Sequence, residues 1–341
     1  MSRSDRLHAA LVAQALTLPG TGRVAVLRAE PSRFLDEIPR DQLRCEQSFR
    51  PLHDALDAAG HDVAPTLEIT DAALVVVNLT RNRTENLGAV ARGLAMLAPG
   101  GTLAINGAKT DGVDSLVKLV GKVLPVTDTY VKAHGRVAWL DRPATLPPAV
   151  ADWAEAARLR PNADGFTTAP GMFSPDHVDP GSRLLATTFD GHLHGRVADL
   201  GAGWGWLAQA ALEACPKITS IDLFEAEARA LDAARINVTD PRAEFHWSDV
   251  TALGPRMPPF DAIIANPPFH QGRAAEPALG AAFIATAARL LKPAGRFLMV
   301  ANRQLPYEQR LDAAFDQWEI LVEDRAYKVI RASRPKRRPA A

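Results

Sequence analysis

The chain has 341 residues, of which 47% are hydrophobic and 23% charged, and its 39 basic and 39 acidic side chains cancel to a formal net charge of zero. This length predicts about two domains, and the composition is that of a folded globular protein rather than a disordered one. Zero net charge argues against a nucleic-acid binder that works by electrostatics alone.

Cysteine usage and hydropathy exclude further classes of protein. Cys45 and Cys215 lie far apart and lack the spacing of metal ligands, so neither a disulfide framework nor a zinc site is predicted. No apolar run approaches the roughly 18 to 20 residues of a membrane span. We therefore expect a monomer without metal or membrane segment, located in a reducing cytoplasm.

The N-terminal segment comes first in chain order. Its apolar residues from Leu7 to Leu18 are interrupted by His8 and Gln14, and no small-residue cleavage site follows. This pattern predicts an amphipathic helix rather than a signal peptide.

The rest of the chain repeats one order of elements at a separation of about 190 residues. In each half an apolar strand opens with an aspartate, at Asp71 and at Asp261, and a helical stretch, a Pro-Gly turn and a second strand follow. This order is typical of a βαβ unit, whose parallel strands are joined by a crossover. The sequence therefore predicts two tandem α/β domains with mainly parallel sheets.

Proline-rich and polar residues from Leu146 to Phe166 mark the expected linker. We predict a first domain over residues 1–160, a second over 165–333 and a basic tail over 334–341. The C-terminal segment from Arg331 carries five basic residues and no acidic one. It suits either a mobile arm that meets phosphates or a solvated end.

A glycine loop follows the strand Gly195 to Leu200 in the second half, with glycines at Gly201, Gly203 and Gly205 before a helix. Glycine permits positive φ and a close approach of backbone to a cofactor, and ligands of α/β sheets bind at the carboxyl ends of strands. A dinucleotide fingerprint would need a glycine at Trp206, and no Lys-Ser or Lys-Thr pair follows the loop. Neither NAD nor a P-loop nucleotide fits this pattern.

Two acidic residues follow the next strands. We predict that one strand ends at Asp222, where a carboxylate can accept hydrogen bonds from both hydroxyls of a ribose. Asp249 follows the next strand and could accept from an adenine amine, although an aspartate there could equally cap a helix. The order of the two acids along one sheet edge favours an adenosine-containing ligand.

The strand that opens at Asp261 ends in Asn266, Pro267, Pro268 and Phe269. Two prolines remove two backbone donors, so the strand cannot simply continue and its last carbonyls stay free. An amide side chain, a proline carbonyl and an aromatic ring can together hold a planar group bearing an NH2. The alternative is a proline turn that only closes a core strand.

The first half lacks both features. Its strand from Arg23 is followed by Pro31 and Ser32 instead of glycines, and its later strand ends at Asn78 without prolines. We predict a copy that has lost cofactor binding and serves as a scaffold or in RNA docking. The candidate RNA contacts are Arg81, Arg83 and Lys109.

Together, Asp199 with the glycine loop, Asp222 and the Asn-Pro-Pro-Phe strand end resemble class I methyltransferases that use S-adenosylmethionine. The segments Pro170 to Leu185 and Val300 to Leu311 are similar to the ribosomal RNA guanine-N2 methyltransferases that act on small-subunit 16S RNA. The resemblance spans nearly the whole chain and is strongest from Gly171 to Arg331. It implies two tandem Rossmann-like methyltransferase domains, of which only the second binds cofactor and the first is degenerate.

The resemblance also implies a binding site for S-adenosylmethionine. Its residues are Asp199, Gly201 and Gly203 at the methionine end of the cofactor, Asp222 at the ribose, Asp249 at the adenine, and Phe173 and Ser174, which would help to close the pocket.

For the substrate, the resemblance implies a guanine amine held at the strand end. Asn266 would accept one N–H through its side-chain carbonyl and Pro267 the other through its backbone carbonyl, while Phe269 stacks on the base. Pro268 completes the element, and His270 would contact RNA or stabilise the turn. Such bonding aims the nitrogen lone pair at the sulfonium methyl and stabilises the developing positive charge without a strong base or metal.

Other enzymes share the Asn-Pro-Pro-aromatic element, so alternatives remain open. They are methylation of a 23S rRNA guanine, of adenine N6, or of a glutamine side chain in release factors. A non-catalytic RNA-binding assembly protein is an alternative of a different class. The duplicated layout and the flanking segments favour a guanine of 16S rRNA, in free RNA or in the small ribosomal subunit.

Overall fold

The computed structural model describes residues 3–254, 257–268, 270–271, 274–275 and 277–336. It divides into two compact units. The first comprises Met1–Leu159 with Ala169–Gly171, and the second comprises Arg160–Thr168 with Met172–Ala341. Of the helices within the described residues, none is both long enough and apolar enough to cross a membrane.

Helices and strands alternate through the first unit. Local signals set several boundaries; for example, Asn82 accepts the backbone N–H of Glu85 at 3.0 Å and caps the longest helix of this unit. The elements are α1 (Arg3–Val12), β1 (Arg23–Leu27), α2 (Arg33–Asp36), β2 (Leu43–Glu46), α3 (Arg50–Ala58), β3 (Val63–Ala64), β4 (Ala72–Asn78), α4 (Arg83–Met96), β5 (Leu97–Ala108), α5 (Val113–Val120), β6 (Asp128–Lys132), β7 (Gly135–Asp141) and α6 (Pro148–Ala156).

The second unit repeats this alternation after a short hairpin. Asp179 caps its first helix, whose first turn contains Pro180, and Gly205 with φ of 89° precedes its second helix. The elements are β8 (Arg160–Pro161), β9 (Thr167–Thr168), α7 (Pro180–Ala186), β10 (Gly195–Leu200), α8 (Trp206–Ala214), β11 (Ile218–Glu225), α9 (Ala228–Asn237), β12 (Ala243–Trp247), β13 (Phe260–Ala265), β14 (His270–Gln271), β15 (Ala274–Ala275), α10 (Pro277–Leu290), β16 (Leu291–Asn302), α11 (Glu308–Ala314), β17 (Phe315–Glu323) and β18 (Tyr327–Pro335).

Each unit contains a seven-stranded sheet, and the two sheets have the same topology. The strand orders are β3-β2-β1-β4-β5-β7-β6 and β12-β11-β10-β13-β16-β18-β17. Five strands of each sheet are parallel, and the last two are antiparallel to their neighbours. The predicted pair of α/β folds with mainly parallel sheets is confirmed.

Both faces of the central strands of each sheet are buried. In β13, Ile263 packs into the core on one face and Ile264 into the core on the other, and in β4 Val75 and Val76 divide in the same way. Side chains of a strand alternate between faces, so a continuous apolar run predicts helices on both sides of the sheet. This arrangement leaves the strand ends as the place where polar groups can collect.

Part of the C-terminal segment, expected to be a mobile arm or a solvated end, lies in the sheet, while residues 337–341 are outside the described residues. Its first residues, 331–335, are the last five residues of β18, which lies between β16 and β17. Arg331 forms an ion pair with Glu319 on β17. Pairing with β16 as far as Ser333 and with β17 as far as Pro335 therefore holds this part of the segment in the sheet.

Candidate active site

A cleft opens in the second unit at the carboxyl ends of β10 and β13. It is lined by the glycine loop, by Phe173, Asp179 and Ser182, and by Asn266. The strand order reverses here, because β10 pairs with β11 on one side and with β13 on the other. Ligands of open α/β sheets bind at such a switch point.

The sheet register decides which side chains meet at this edge. Leu200 at the end of β10 is level with Phe224 of β11 and with Ala265 of β13. The residues that follow these three in the chain are Gly201 after β10, Glu225 at the end of β11 and Asn266 after β13. Gly201 and Asn266 line the cleft, and Glu225 lies level with them at the same edge of the sheet.

Each of the three loop glycines is required for a different structural reason. Gly201, Gly203 and Gly205 have φ of 75°, 55° and 89°, a region that other residues rarely adopt. A Cβ at Gly205 would lie 2.8 Å from a methyl group of Val238, and one at Gly201 would lie 3.2 Å from the Phe283 ring. A Cβ at Gly203 would meet nothing within 4 Å, so this glycine leaves free space where the cleft opens.

Asp199, the residue before the last in β10, is completely buried. Neither of its carboxylate oxygens accepts a hydrogen bond of normal length and angle from the described residues, and the nearby backbone N–H of Ala208 only partly offsets the burial. Burial, together with the neighbouring carboxylate of Glu225, raises the pKa of Asp199 to about 8. A buried carboxylate without partners is costly, so this position suits a ligand that brings a positive charge.

Asp222 does not lie at the end of its strand, and the prediction that the strand ends there is wrong. The strand continues to Glu225, and Asp222 is level with Ala198 in the middle of the sheet. Its carboxylate accepts from Arg196 at 3.1 and 3.2 Å and bonds with His246 at 2.8 Å. Asp222 is therefore committed to a buried ion-pair cluster rather than facing the cleft.

The Asp222 cluster also bears on metal binding. Among the described residues, ligand atoms of Asp222, Glu244 and His246 lie within 4.8 Å of one another. Both Asp222 oxygens, however, already accept bonds from the Arg196 guanidinium, whose charge opposes a cation. The arrangement is accounted for by the ion pair.

We predict that Asp222→Ala destabilises the protein and leaves the cofactor affinity of the folded fraction unchanged. Removing one partner of a buried pair costs about 3 kcal/mol, measurable as the free energy of unfolding in urea. Burial would raise the pKa of Asp222, but the bonds from His246 and Arg196 outweigh it and the pKa lies below its usual value. The ionised Asp222 therefore stabilises the protein at neutral pH. The difference in the free energy of unfolding between the wild type and the variant should become smaller as the pH falls below 3.8.

Glu225, which the sequence interpretation did not consider, is the last residue of β11. Its Oε2 accepts the N–H of Gly203 at 2.7 Å and its Oε1 accepts the N–H of Glu227 at 2.8 Å. Each carboxylate oxygen can accept a further bond. The sequence signal for a longer strand was the apolar pair Leu223 and Phe224, which continues the buried strand past Asp222.

Asp249 follows β12 and begins a short 3-10 helix, Val250–Ala252. Its Oδ1 accepts the N–H of Thr251 at 2.8 Å and the Thr251 hydroxyl at 2.7 Å. The aspartate thus has the capping role weighed from the sequence, and its Oδ2 carries neither of these bonds. A role toward adenine stays a prediction.

Phe173 and Ser174 differ in their relation to the cleft. Phe173, a residue that is 59% exposed, lines the cleft, and its carbonyl accepts from the Trp204 indole at 2.9 Å. Ser174 has a positive φ of 43° and donates its hydroxyl to the His177 carbonyl at 2.7 Å. The structure therefore places the Phe173 ring, but not the Ser174 hydroxyl, at the cleft.

Asn266 is the most informative residue of the site. Its Nδ2 donates to Asp179 Oδ2 at 2.9 Å and to Ser182 Oγ at 2.8 Å. Its Oδ1 is buried and accepts no hydrogen bond from the described residues. The side chain thus offers a free acceptor to the cleft.

The residues after Asn266 complete the strand end. Pro267 is buried and Pro268 exposed, and no described residue donates to the Pro267 carbonyl. Phe269 lies outside the described residues. The backbone of His270 belongs to β14, which pairs with Ala275 of β15.

The corresponding strand ends of the first unit are closed by polar contacts. Arg28 stands where Gly201 stands in the second unit, with φ of 52°, and its guanidinium binds the Asn78 carbonyl and Asn86 Oδ1 at 3.0 and 3.1 Å. Arg28 also pairs with Glu85 at 3.0 Å. A charged side chain fills the space that glycines leave open in the second unit.

Asn78 is the counterpart of Asn266, but its amide is satisfied. Its Nδ2 donates to the carbonyls of Leu27 and Arg28, and its Oδ1 accepts from Asn106 at 2.7 Å. Only the second unit therefore offers a free amide acceptor at this strand end, among the residues that the structure describes.

The three basic residues proposed to contact RNA lie at one edge of the first sheet. Arg81 and Arg83 follow β4, Lys109 follows β5, and all three are exposed. The two strands are parallel neighbours, so their carboxyl ends share an edge. Contact with RNA stays a prediction.

Several known proteins are similar to this chain in sequence and in fold. The family model for the methyltransferase small domain matches residues 164–331. The ribosomal RNA small subunit methyltransferase C of Klebsiella pneumoniae is 31% identical over 282 residues, which cover 79% of this chain and 78% of that protein. The protein of the same name from Shewanella sp. (strain MR-4) is 32% identical over 239 residues, covering 68% and 69%.

A solved structure matches both units. The 16S rRNA N2 G1207 methyltransferase of T. thermophilus, in complex with AdoMet and guanosine, has a TM-score of 0.80 and 25% identity, covering 97% of this chain and 91% of that one. The resemblance drawn from the sequence motifs is confirmed. The chain belongs to the ribosomal RNA small subunit methyltransferase C family.

Proposed function

We propose that this protein transfers the methyl group of S-adenosylmethionine to the exocyclic N2 amine of a guanine in 16S small-subunit rRNA. The observation that carries the proposal is the free, buried Oδ1 of Asn266 at the switch point of the second sheet. The T. thermophilus neighbour, described with AdoMet and guanosine, supports the choice of both ligands.

The residues of the second unit fit a cofactor with positively charged groups. The unpartnered carboxylate of Asp199 suits a cation, Gly203 leaves room beside it, and Glu225 has acceptor capacity for the two ribose hydroxyls. When bound, S-adenosylmethionine supplies an electrophilic methyl group on its sulfonium. We assign the ribose contact to Glu225 in place of Asp222.

Asn266 and Pro267 would hold the reacting amine. The Asn266 Oδ1 accepts one N–H and the Pro267 carbonyl accepts the other, which leaves the nitrogen lone pair directed away from both acceptors. The nitrogen would form its bond to the methyl carbon as the carbon–sulfur bond breaks and leaves a neutral thioether, and it would then release one proton to solvent. The two carbonyl dipoles would stabilise the positive charge that develops on the nitrogen. Positioning of this kind needs no strongly basic side chain.

The substrate base must be unpaired to reach the cleft. A guanine in a helix uses its N2 amine in pairing, so the target is extruded or lies in a single-stranded region. We propose that the Phe173 ring and Phe269 contact the flat faces of base or cofactor. In this scheme the first unit docks RNA through Arg81, Arg83 and Lys109.

The test is methyl transfer from labelled S-adenosylmethionine to naked 16S RNA, assembled small subunits, 23S RNA and a release factor in parallel. We expect label in 16S RNA, free or assembled, and N2-methylguanosine after digestion to nucleosides. Label confined to 23S RNA, to adenine or to the release factor would overturn the proposal. Absence of cofactor binding by calorimetry would instead identify a non-catalytic assembly protein.

A further inference from the structure

We propose that Asp179 and Ser182 are positioning residues that force the Asn266 amide to present its carbonyl oxygen, and not its NH2, to the substrate amine. This inference rests on the proposed function of Asn266 as the amine acceptor. It goes further, because it says what sets the polarity of that acceptor.

The contacts are specific to one orientation of the amide. Asp179 Oδ2 lies 2.9 Å and Ser182 Oγ 2.8 Å from Asn266 Nδ2, so each of the two amide N–H groups has an acceptor. The opposite end, Oδ1, is buried without a partner among the described residues. The amide is therefore anchored at its nitrogen end alone.

Asp179 decides the orientation because an ionised carboxylate can only accept hydrogen bonds. Rotating the amide by half a turn would place Oδ1 against the Asp179 carboxylate and turn the NH2 group toward the cleft. A donor in the cleft would repel the N–H groups of a substrate amine. The Ser182 hydroxyl cannot make this choice by itself, since it can donate as well as accept.

The carboxylate is itself held in place by the start of α7. Asp179 is the N-cap of this helix and its Oδ2 also accepts the backbone N–H of Ser182 at 2.8 Å. Gly181 keeps room for it, since a Cβ there would lie 3.0 Å from Asp179 Oδ2. One oxygen atom thus caps the helix and orients Asn266.

In the first unit, the equivalent asparagine, Asn78, is not anchored by a carboxylate. Asn78 donates to two backbone carbonyls, and its Oδ1 is consumed by Asn106. Backbone carbonyls therefore anchor Asn78, whose oxygen is already bonded. A carboxylate anchors Asn266, whose oxygen is free.

The experiment compares Asp179→Asn with Asp179→Ser. Asparagine, aspartate and serine are all good N-caps, so both variants should unfold in urea at similar midpoints. Asparagine can place a carbonyl oxygen at the position of Oδ2 and accept both bonds, whereas serine is too short to reach Asn266. We expect kcat to fall by less than about fivefold in Asp179→Asn and by about thirtyfold or more in Asp179→Ser, with cofactor affinity kept in both.

A double-mutant cycle that combines Asp179→Ser with Asn266→Ala distinguishes a positioning role of Asp179 from a structural one. In the Asn266→Ala background the amide to be oriented is gone, so Asp179→Ser should reduce single-turnover methyl transfer no further. Ser182→Ala should give a smaller loss than Asp179→Ser, and Ser182→Thr should restore it. Equal kcat losses in the two Asp179 variants, or additive losses in the double variant, would overturn the inference.

The outcome is distinguishable from failure of the proposed function. If another planar amine proves to be the methyl acceptor, the same cycle is measured on that substrate and still tests the positioning. If guanine of 16S RNA is methylated and the cycle is additive, the proposed function stands and only the role of Asp179 and Ser182 is lost.

Discussion

Asn266→Ala is expected to lower kcat for methyl transfer by about 10²- to 10³-fold while S-adenosylmethionine binds as tightly as before. The physical reason is that the proposed function gives the free Oδ1 to the reacting amine and assigns the cofactor contacts to residues of other strands. Steady-state kinetics with 16S RNA gives kcat. Calorimetry gives the affinity, with the fluorescence of Trp204 and Trp206 at the cleft as a second reading.

Asn78→Ala provides a matched control, because Asn78 is the equivalent residue of the first unit. Its loss removes the acceptor of the Asn106 Nδ2 group and should lower the free energy of unfolding by about 1 to 3 kcal/mol. The kcat of the folded fraction should be unaffected. Comparable kcat losses in the two variants, or a weakened cofactor affinity in Asn266→Ala, would contradict the role given to Asn266.

Glu225→Ala is expected to weaken binding of S-adenosylmethionine by about a hundredfold, which corresponds to about 2.8 kcal/mol. The variant removes the acceptor at the carboxyl end of β11 and also frees the Gly203 N–H, so the glycine loop loses one of its anchors. Glu225→Gln keeps the shape and neutral acceptor capacity, and we expect a loss of about tenfold. Both values are measurable by calorimetry.

Asp222→Asn is the matched control for Glu225, since both acids belong to one strand. The asparagine preserves the volume of a side chain that is bonded to Arg196 and His246, and the cleft is unchanged. We expect reduced stability and an unchanged dissociation constant for the cofactor. If Asp222→Asn weakened binding more than Glu225→Gln, the ribose contact would return to Asp222.

The difference between Asp222 and Glu225 shows where inference from local sequence ends. Both are acids near the end of one strand, and both precede the turn into α9. Which of them stands at the edge of the sheet depends on the level of β11 relative to β10, and in that register Phe224 pairs with Leu200. A slip of a few residues along one strand is invisible in a local pattern.

Asp179 and Ser182 show the same limit over a greater distance. Asp179 is readable as a helix cap because it precedes Pro180. Its second bond, to a residue 87 positions away, is not readable. Contacts of this kind form only when α7 packs beside the end of β13.

The sequence by itself determined the duplicated α/β fold, the glycine loop with its positive φ, and the Asn266-Pro267-Pro268 strand end, because apolar periodicity, glycine and proline act on the local backbone. Only the tertiary structure shows that Glu225 ends β11 while Asp222 is held in an ion-pair cluster, that Arg28 closes the strand ends of the first unit, and that Asp179 bonds to Asn266. These outcomes depend on which strand ends come level and which side chains meet across the sheet edge. Such contacts arise between residues far apart in the chain, so no local pattern contains them.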